Sequence, residues 1–170
     1  TLTLTGVTVN SRAYDGTTTV AASQISSGGV GLAGVINSDA VSVNTGTISG
    51  TYNSKDVATA TTASLSGFSL TGDKAGNYSL GGSSVDVAAA ITTKALTISG
   101  TTVADKAYDG NANAVVSAGS LGGLIGSEQL GVSASGLFAS QNVAYSGVTV
   151  ANQDVTVSYT LADGSGQNAG

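Results

Sequence analysis

Ala13-Tyr14-Asp15-Gly16 returns 94 positions later as Ala107-Tyr108-Asp109-Gly110, and its surroundings return with it. At that spacing Leu2 falls on Leu96, Leu4 on Ile98, Gly6 on Gly100 and Val9 on Val103. The chain is a repeat read almost twice, and an internal period decides the fold before any single element does. Further in, Gly34-Val35-Ile36-Asn37-Ser38-Asp39 aligns with Gly123-Leu124-Ile125-Gly126-Ser127-Glu128 at a spacing of 89, and Tyr52 and Val57 align with Phe138 and Val143 at 86. The spacing returns to 94 where Ala75-Gly76 meets Ala169-Gly170. Loops change length between copies, whereas apolar and glycine landmarks keep their class.

Within each copy the apolar period is two. Thr1-Leu2-Thr3-Leu4-Thr5 alternates polar and apolar, the pattern of a strand with one dry and one wet face. Gly6 then marks a bulge or change of face before Val7 and Val9. Asp15-Gly16 supplies a turn, and Thr17 to Ile25, rich in β-branched residues, reads as a second strand. Val41 and Val43, then Ile48 to Tyr52, then Leu65 to Leu70 give further strands. Asp73 to Asn77 is a turn, Tyr78 to Leu80 opens a closing strand, and Val85, Val87, Ala89 and Ile91 alternate cleanly. Leu130 and Val132, Val148 and Val150, and Val155, Val157, Tyr159 and Leu161 restate the pattern in the second copy. Glycine at 25 positions penalises any long helix, leaving at most a helical turn near 54–58 or 140–143.

Composition narrows function by exclusion. Cys, His, Met, Trp and Pro are absent, which removes disulfides, thiol nucleophiles, imidazole ligands and histidine bases. Five basic residues face ten acidic ones, no two basic residues are adjacent, and a nucleic-acid footprint needs clustered Lys and Arg. Charged residues are only 9% of the chain, polarity coming instead from Thr, Ser, Asn and Gly, as expected of extracellular β repeats. No apolar run approaches the roughly 18 residues of a membrane span, so no membrane insertion is expected. With no initiating Met, the stretch is expected to be part of something longer.

Lys106-Ala107-Tyr108-Asp109-Gly110, the mid-repeat Gly-x-x-x-Ser-Asp/Glu segment, and Ala75-Gly76-Asn77-Tyr78-Ser79-Leu80 before Ala89-Ala90-Ile91-Thr92 occur in a fixed order. This set resembles the YDG repeats of large bacterial surface adhesins, among them filamentous-haemagglutinin-like exoproteins. The resemblance covers essentially the whole chain. Arg12 stands where those repeats usually carry Lys, and the second copy stops before its Asn-Tyr. The resemblance implies a stalk or spacer module of a secreted or surface-anchored bacterial protein, without known catalysis.

Candidate sites each have a plainer reading. Tyr14 and Asp15, with Tyr108 and Asp109, offer an aromatic face and a carboxylate for a sugar. Recurrence of Tyr14-Asp15-Gly16 as Tyr108-Asp109-Gly110 favours a structural turn, with the Tyr packed beside it. Calcium needs six to eight oxygens, and the aspartates never form a D-x-D cluster. A lysine-to-asparagine cross-link would need a buried Lys and an acid beside it, and Lys94 and Lys106 read as solvated stems. No two acids are spaced for paired-carboxylate hydrolysis. No catalytic, cofactor-binding or metal residues are therefore assigned, and no enzyme activity is expected.

The expected architecture is all-β: two tandem small β-sandwich-like domains, Ig-like or related, in an elongated arrangement. Repeat 1 spans residues 1–94, and repeat 2 spans 95–170 and lacks its closing strand, the counterpart of Asn77 to Lys94. The expected function is a structural stalk presenting a distal binding region, with neighbouring repeats of the same protein as partners. One alternative is a carbohydrate- or protein-binding module using exposed Tyr52, Tyr145 or the loops around Gly28 and Gly119. Another is a filament subunit, in which a like chain supplies the missing strand at the open edge of repeat 2.

Overall fold

Alternating residues form short strands here, and glycines at positive φ set where those strands stop. The computed structural model describes residues 1–164. The landmark Ala169-Gly170 and most of the expected turn from Asp163 onward lie outside the described residues. The chain divides into two units, Thr1–Lys94 and Ala95–Gly170.

In the first unit the chain opens with β1 (Thr3–Thr5), β2 (Thr8–Val9), β3 (Arg12–Ala13) and β4 (Thr19–Val20). It continues through β5 (Ile25–Ser26), β6 (Gly31–Ala33), β7 (Ser42–Asn44), β8 (Ser49–Tyr52), β9 (Thr62–Ser66) and β10 (Ser69–Thr71). β11 (Ser84–Ala88) and β12 (Ile91–Thr92) close it. The largest sheet has the order β11-β9-β8-β4, and four two-stranded pairs, β1-β6, β2-β5, β7-β10 and β3-β12, surround it. Three of those pairs are antiparallel, and β12 lies parallel to β3.

The reason for this arrangement is burial on one face of each strand. Ala63 and Leu65 on β9 are fully buried, and Val20, Tyr52, Ala60, Ala89 and Ile91 pack in the same core. Gly6, at φ +75, lets Val7 and Val9 turn inward after Leu4. Thr17 to Ile25 is not one strand. A 3₁₀ turn over Ala22–Gln24 splits it, because the buried Gln24 side chain accepts from the Ala21 amide and donates to the Tyr52 hydroxyl. Tyr78 to Leu80 contributes a single parallel bridge, Leu80 to Leu2. Residues 54–58 form a turn without a helix, and 3₁₀ geometry appears over Ala75–Asn77.

The second unit repeats the scheme with β13 (Thr97–Ser99), β14 (Thr102–Val103), β15 (Asn113–Ala114), β16 (Val116–Ser117) and β17 (Ser120–Gly122). β18 (Gly131–Phe138), the hairpin of β19 (Tyr145–Ser146) and β20 (Thr149–Val150), and β21 (Val155–Ala162) follow. Its main sheet is β15-β18-β21, with β13-β17, β14-β16 and β19-β20 as antiparallel pairs. Among the described residues, every buried hydrophobic side chain belongs to the first unit. The counterparts in the second unit, Leu96, Ala114, Phe138, Val155 and Val157, are only half-buried. The fold is thus nearly all β, built of small, open sheets.

Gly50 and Gly136 occupy matching positions at the centres of the two main sheets. Gly50 pairs with Val20 and Leu65, and Gly136 with Ala114 and Val157. A Cβ on Gly50 would stand 2.4 Å from Leu65 Cδ2 and 3.0 Å from Val20 Cβ. Gly50→Ala is therefore expected to destabilise the first unit by about 1–3 kcal/mol through overpacking. Urea unfolding followed by tyrosine fluorescence should show two steps, the less buried second unit melting first, with the substitution moving only the later step. A single cooperative step in the parent chain would contradict this.

Candidate functional site: the Tyr-Asp-Gly clasps

Each Tyr-Asp-Gly turn is tied to a basic residue two positions before the tyrosine. In the first unit Arg12 forms an ion pair with Asp15, and Asp15 Oδ1 accepts from the Thr17 amide and hydroxyl, both at 2.9 Å. Arg12 Nη2 donates to Thr17 O at 2.6 Å, and the guanidinium carbon lies 5.1 Å from the centre of the Tyr52 ring. Gly16, at φ +78, provides the left-handed residue that lets the chain fold back over this pair. The guanidinium thus makes a cation–π contact with the Tyr52 ring.

The second unit reaches the same closure with different chemistry. Lys106 Nζ lies 2.7 Å from Asp109 Oδ1 and donates to Asn111 Oδ1, Asn111 O and Asn113 O at 2.6, 2.8 and 3.0 Å. Asn111 in turn donates from its amide to Asp109 Oδ1 and from Nδ2 to Asp109 Oδ2. Lys106 is not a solvated stem, since its ammonium is surrounded by oxygens and its side chain is only 19% exposed. The Tyr–turn packing expected in both copies holds in one: Tyr14 is half-buried against the core, whereas Tyr108 is 65% exposed.

Both aspartates are held below the ordinary carboxylate value of 3.8. For Asp15, loss of hydration is the largest single influence and acts upward, but the Thr17 amide and hydroxyl together with Arg12 outweigh it. For Asp109, the Lys106 hydrogen bond is the main cause, followed after a smaller upward push from loss of hydration by the Asn111 amide. An acid that stays ionised while bound to its own turn is a poor proton donor and is already occupied as a ligand. The turns are built as internal fastenings.

A second landmark is fastened in two ways as well. Gly34 and Gly123 share a φ of +96, and at each a Cβ would meet the side chain of the equivalent leucine, Leu2 or Leu96, at 3.5 Å. In the turn that follows, the Ile36 amide donates to the Tyr78 hydroxyl, which donates to Asp39 Oδ2 at 2.6 Å, and this bond to Asp39 raises the Tyr78 pKa above 10.0. In the second unit the matching Ile125 amide donates directly to Glu128 Oε2.

The other sugar-binding candidates separate clearly. Tyr52 is buried, with its hydroxyl bonded to Gln24 and to Asn10 O, so it is a core residue and not an exposed platform. Tyr145 is 63% exposed on the β19-β20 hairpin, beside Val150 and the fully exposed Val148. That hairpin lies within the extra residues that shift the repeat spacing from 86 back to 94, a signal the sequence already carried. Gly28 and Gly119 lie on exposed loops. A shallow, open groove of about 400 Å³ is lined by Phe68, Leu70, Tyr78 and Leu80. Among the described residues no cluster of three or more acids can hold a metal ion, and no helix is long and apolar enough to cross a membrane.

The pH consequence follows from the lowered aspartates. Their folded values lie below the unfolded ones, so the stabilisation is complete above the ordinary carboxylate range and is lost as pH falls through the folded values. Urea midpoints should fall between about pH 5 and about pH 2, and Asp15→Asn or Asp109→Asn should flatten that fall for its own unit. Because both carboxylates are half-exposed, each effect should be modest, and an unchanged pH slope in both variants would sink the assignment.

Comparison with known proteins gives a consistent answer at the level of family. No curated protein and no solved structure matches the chain. The family model described as the YDG domain matches residues 1–86 and again residues 92–170. The chain therefore belongs to the YDG domain family and carries two tandem copies of that domain.

Proposed function

We propose that the chain is a spacer segment of a secreted or cell-surface protein of adhesin type, in which paired YDG domains hold a distal binding region away from the surface. The observation that carries this reading is the internal use of the signature residues. Asp15 and Asp109 bind their own turns and their own basic partners. A residue pattern repeated for closure, and not for a ligand, belongs to a module whose work is mechanical. Thr- and Ser-rich outward positions on the strands support the same reading, since they keep the faces wetted without charge.

In this reading each copy is a small sandwich-like domain, and the two follow one another end to end. The residues around Thr93, Lys94 and Ala95 contain no glycine, which limits bending at the junction. Sequence divergence between adjacent copies lowers the risk of mispairing during folding. The reading assigns no catalysis, cofactor, nucleic acid or membrane insertion.

One observation favours a binding role beside it. The β19-β20 hairpin presents Tyr145, Val148 and Val150 to solvent, and exposed aromatic and apolar groups on one projection are a means of contact. Glycan-array and surface-binding assays with the parent chain and Tyr145→Ala would separate the two: a spacer leaves both silent.

Small-angle scattering of residues 1–170 tests the spacer itself. A single globule of this length would have a radius of gyration of about 15 Å. The expected value is clearly larger and unchanged on dilution, and a value near the globular one would overturn the end-to-end arrangement.

A further inference from the structure

Asn77-Tyr78-Ser79 places a hydroxyl two residues after an asparagine, and no other asparagine in the chain has a serine or threonine at that distance. That spacing is the acceptor pattern for asparagine-linked sugar. A pattern so short also arises by chance in a chain rich in Ser and Thr, so its placement in the fold decides its worth. Asn77 ends the 3₁₀ turn Ala75–Asn77, and Tyr78 after it is extended, at φ −127 and ψ 156. Extended backbone sets successive side chains on opposite sides. Tyr78 is accordingly half-buried, its hydroxyl tied to the Ile36 amide and to Asp39, whereas Asn77 and Ser79 on either side of it are exposed.

The main chain of this segment is fastened, since the Asn77 amide donates to Lys74 O at 3.0 Å and Ser79 O accepts from the Leu2 amide at 2.7 Å. The Asn77 side-chain amide and the Ser79 hydroxyl, by contrast, have no partner among the described residues. Other turn asparagines in the first unit are engaged: Asn53 donates to Thr59 O and accepts from the Thr61 and Thr62 amides, and Asn44 accepts from the Gly46 amide. Asn77 closes nothing, so its side chain can carry a group without cost to the fold. The surroundings suit a sugar as well. Ser79, with Phe68, Leu70, Tyr78 and Leu80, lines the shallow, open groove of about 400 Å³. Aromatic and aliphatic side chains together give an apolar wall against which the C–H face of a sugar ring can pack.

We propose that Asn77 is a glycosylation site, the acceptor of an N-linked sugar that a separate transferase delivers from a sugar activated as its diphosphate ester. The Asn77 side-chain nitrogen attacks the anomeric carbon of that donor. A C–N bond forms as the C–O bond to the diphosphate breaks, the diphosphate leaves with the electron pair, and the proton from the nitrogen passes to a base of the transferase. The chain supplies only the acceptor, with the Ser79 hydroxyl as the recognition element two residues on. Once attached, the first sugar lies at the rim of the groove beside Tyr78 and covers apolar surface that is otherwise wet. The inference is independent of the spacer reading, because a chain that binds instead of spacing would carry the same acceptor.

The test isolates the protein from the cells that produce it and digests it after lysine and arginine, which releases residues 75–94 with Asn77 as the sole asparagine of the peptide. Mass spectrometry should find this peptide heavier by whole sugar residues, and electron-transfer fragmentation should place the increment on Asn77. In the same cells Asn77→Gln and Ser79→Ala should each lose the increment, and Ser79→Thr should keep it. Neither side chain is bonded within the fold, so its loss in those variants reports the acceptor and not unfolding. Recovery of the peptide from the parent protein at its unmodified mass alone overturns the proposal. An increment that fragments onto a serine or threonine, or that survives in Asn77→Gln or Ser79→Ala, overturns it equally.

Discussion

Closure of the first unit depends on a single extended segment that joins two places far apart in the chain. β11 zips antiparallel onto β9, and the next few residues lay β12 parallel to β3, about 80 positions upstream. Thr92 then secures this contact twice, its hydroxyl donating to Arg12 O and its carbonyl accepting from Tyr14. Ala63 and Leu65 on β9 and Ala89 and Ile91 along this path share one core cluster. A strand of this kind forms late on entropic grounds, because the loop it closes is nearly the whole domain. The second unit repeats the framework, and its core positions Leu96, Ala114, Phe138, Val155 and Val157 are half-buried.

The clasps at the Tyr-Asp-Gly turns secure the other end of the same path. Arg12 does so with its guanidinium over the Tyr52 ring, a cation–π contact that helps to fix the strand that β12 must meet. Lys106 has no planar face to offer, and three oxygens from Asn111 and Asn113 gather its ammonium instead. The Arg-to-Lys difference between copies therefore travels with the Thr17-to-Asn111 difference: the arginine needs a carbonyl and a ring, the lysine a cage.

The repeat, the β class and the glycine turns were legible because each depends on local chemistry. Period-two alternation marks which face is dry, and Gly6, Gly16, Gly100 and Gly110 adopt the positive φ that their turns require. The YDG landmarks were legible for the same reason, as an ordered series of such turns. What could not be read were facts about neighbours distant in sequence. Tyr52 resembles an exposed strand-end aromatic until Gln24 and Asn10 are folded around its hydroxyl. Lys106 resembles a surface lysine until the turn brings Asn111 and Asn113 back to it. The stretch from Thr17 to Ile25 has the residues of a strand, but burying Gln24 bends it into a 3₁₀ turn, a tertiary demand that overrides β propensity.

The turn at Ile36 and at Ile125 is closed by different side chains in the two copies. An amide in that turn needs an acceptor. Aspartate at position 39 is joined to the Ile36 amide through the Tyr78 hydroxyl, which accepts from Ile36 and donates to the carboxylate. Glutamate at position 128 has one more methylene and reaches the Ile125 amide without an intermediary. The two acids thus serve the same turn by different routes, one through a hydroxyl and one directly. A comparison of the copies one position at a time misses such pairings, as it misses that Arg12 goes with Thr17 and Lys106 with Asn111.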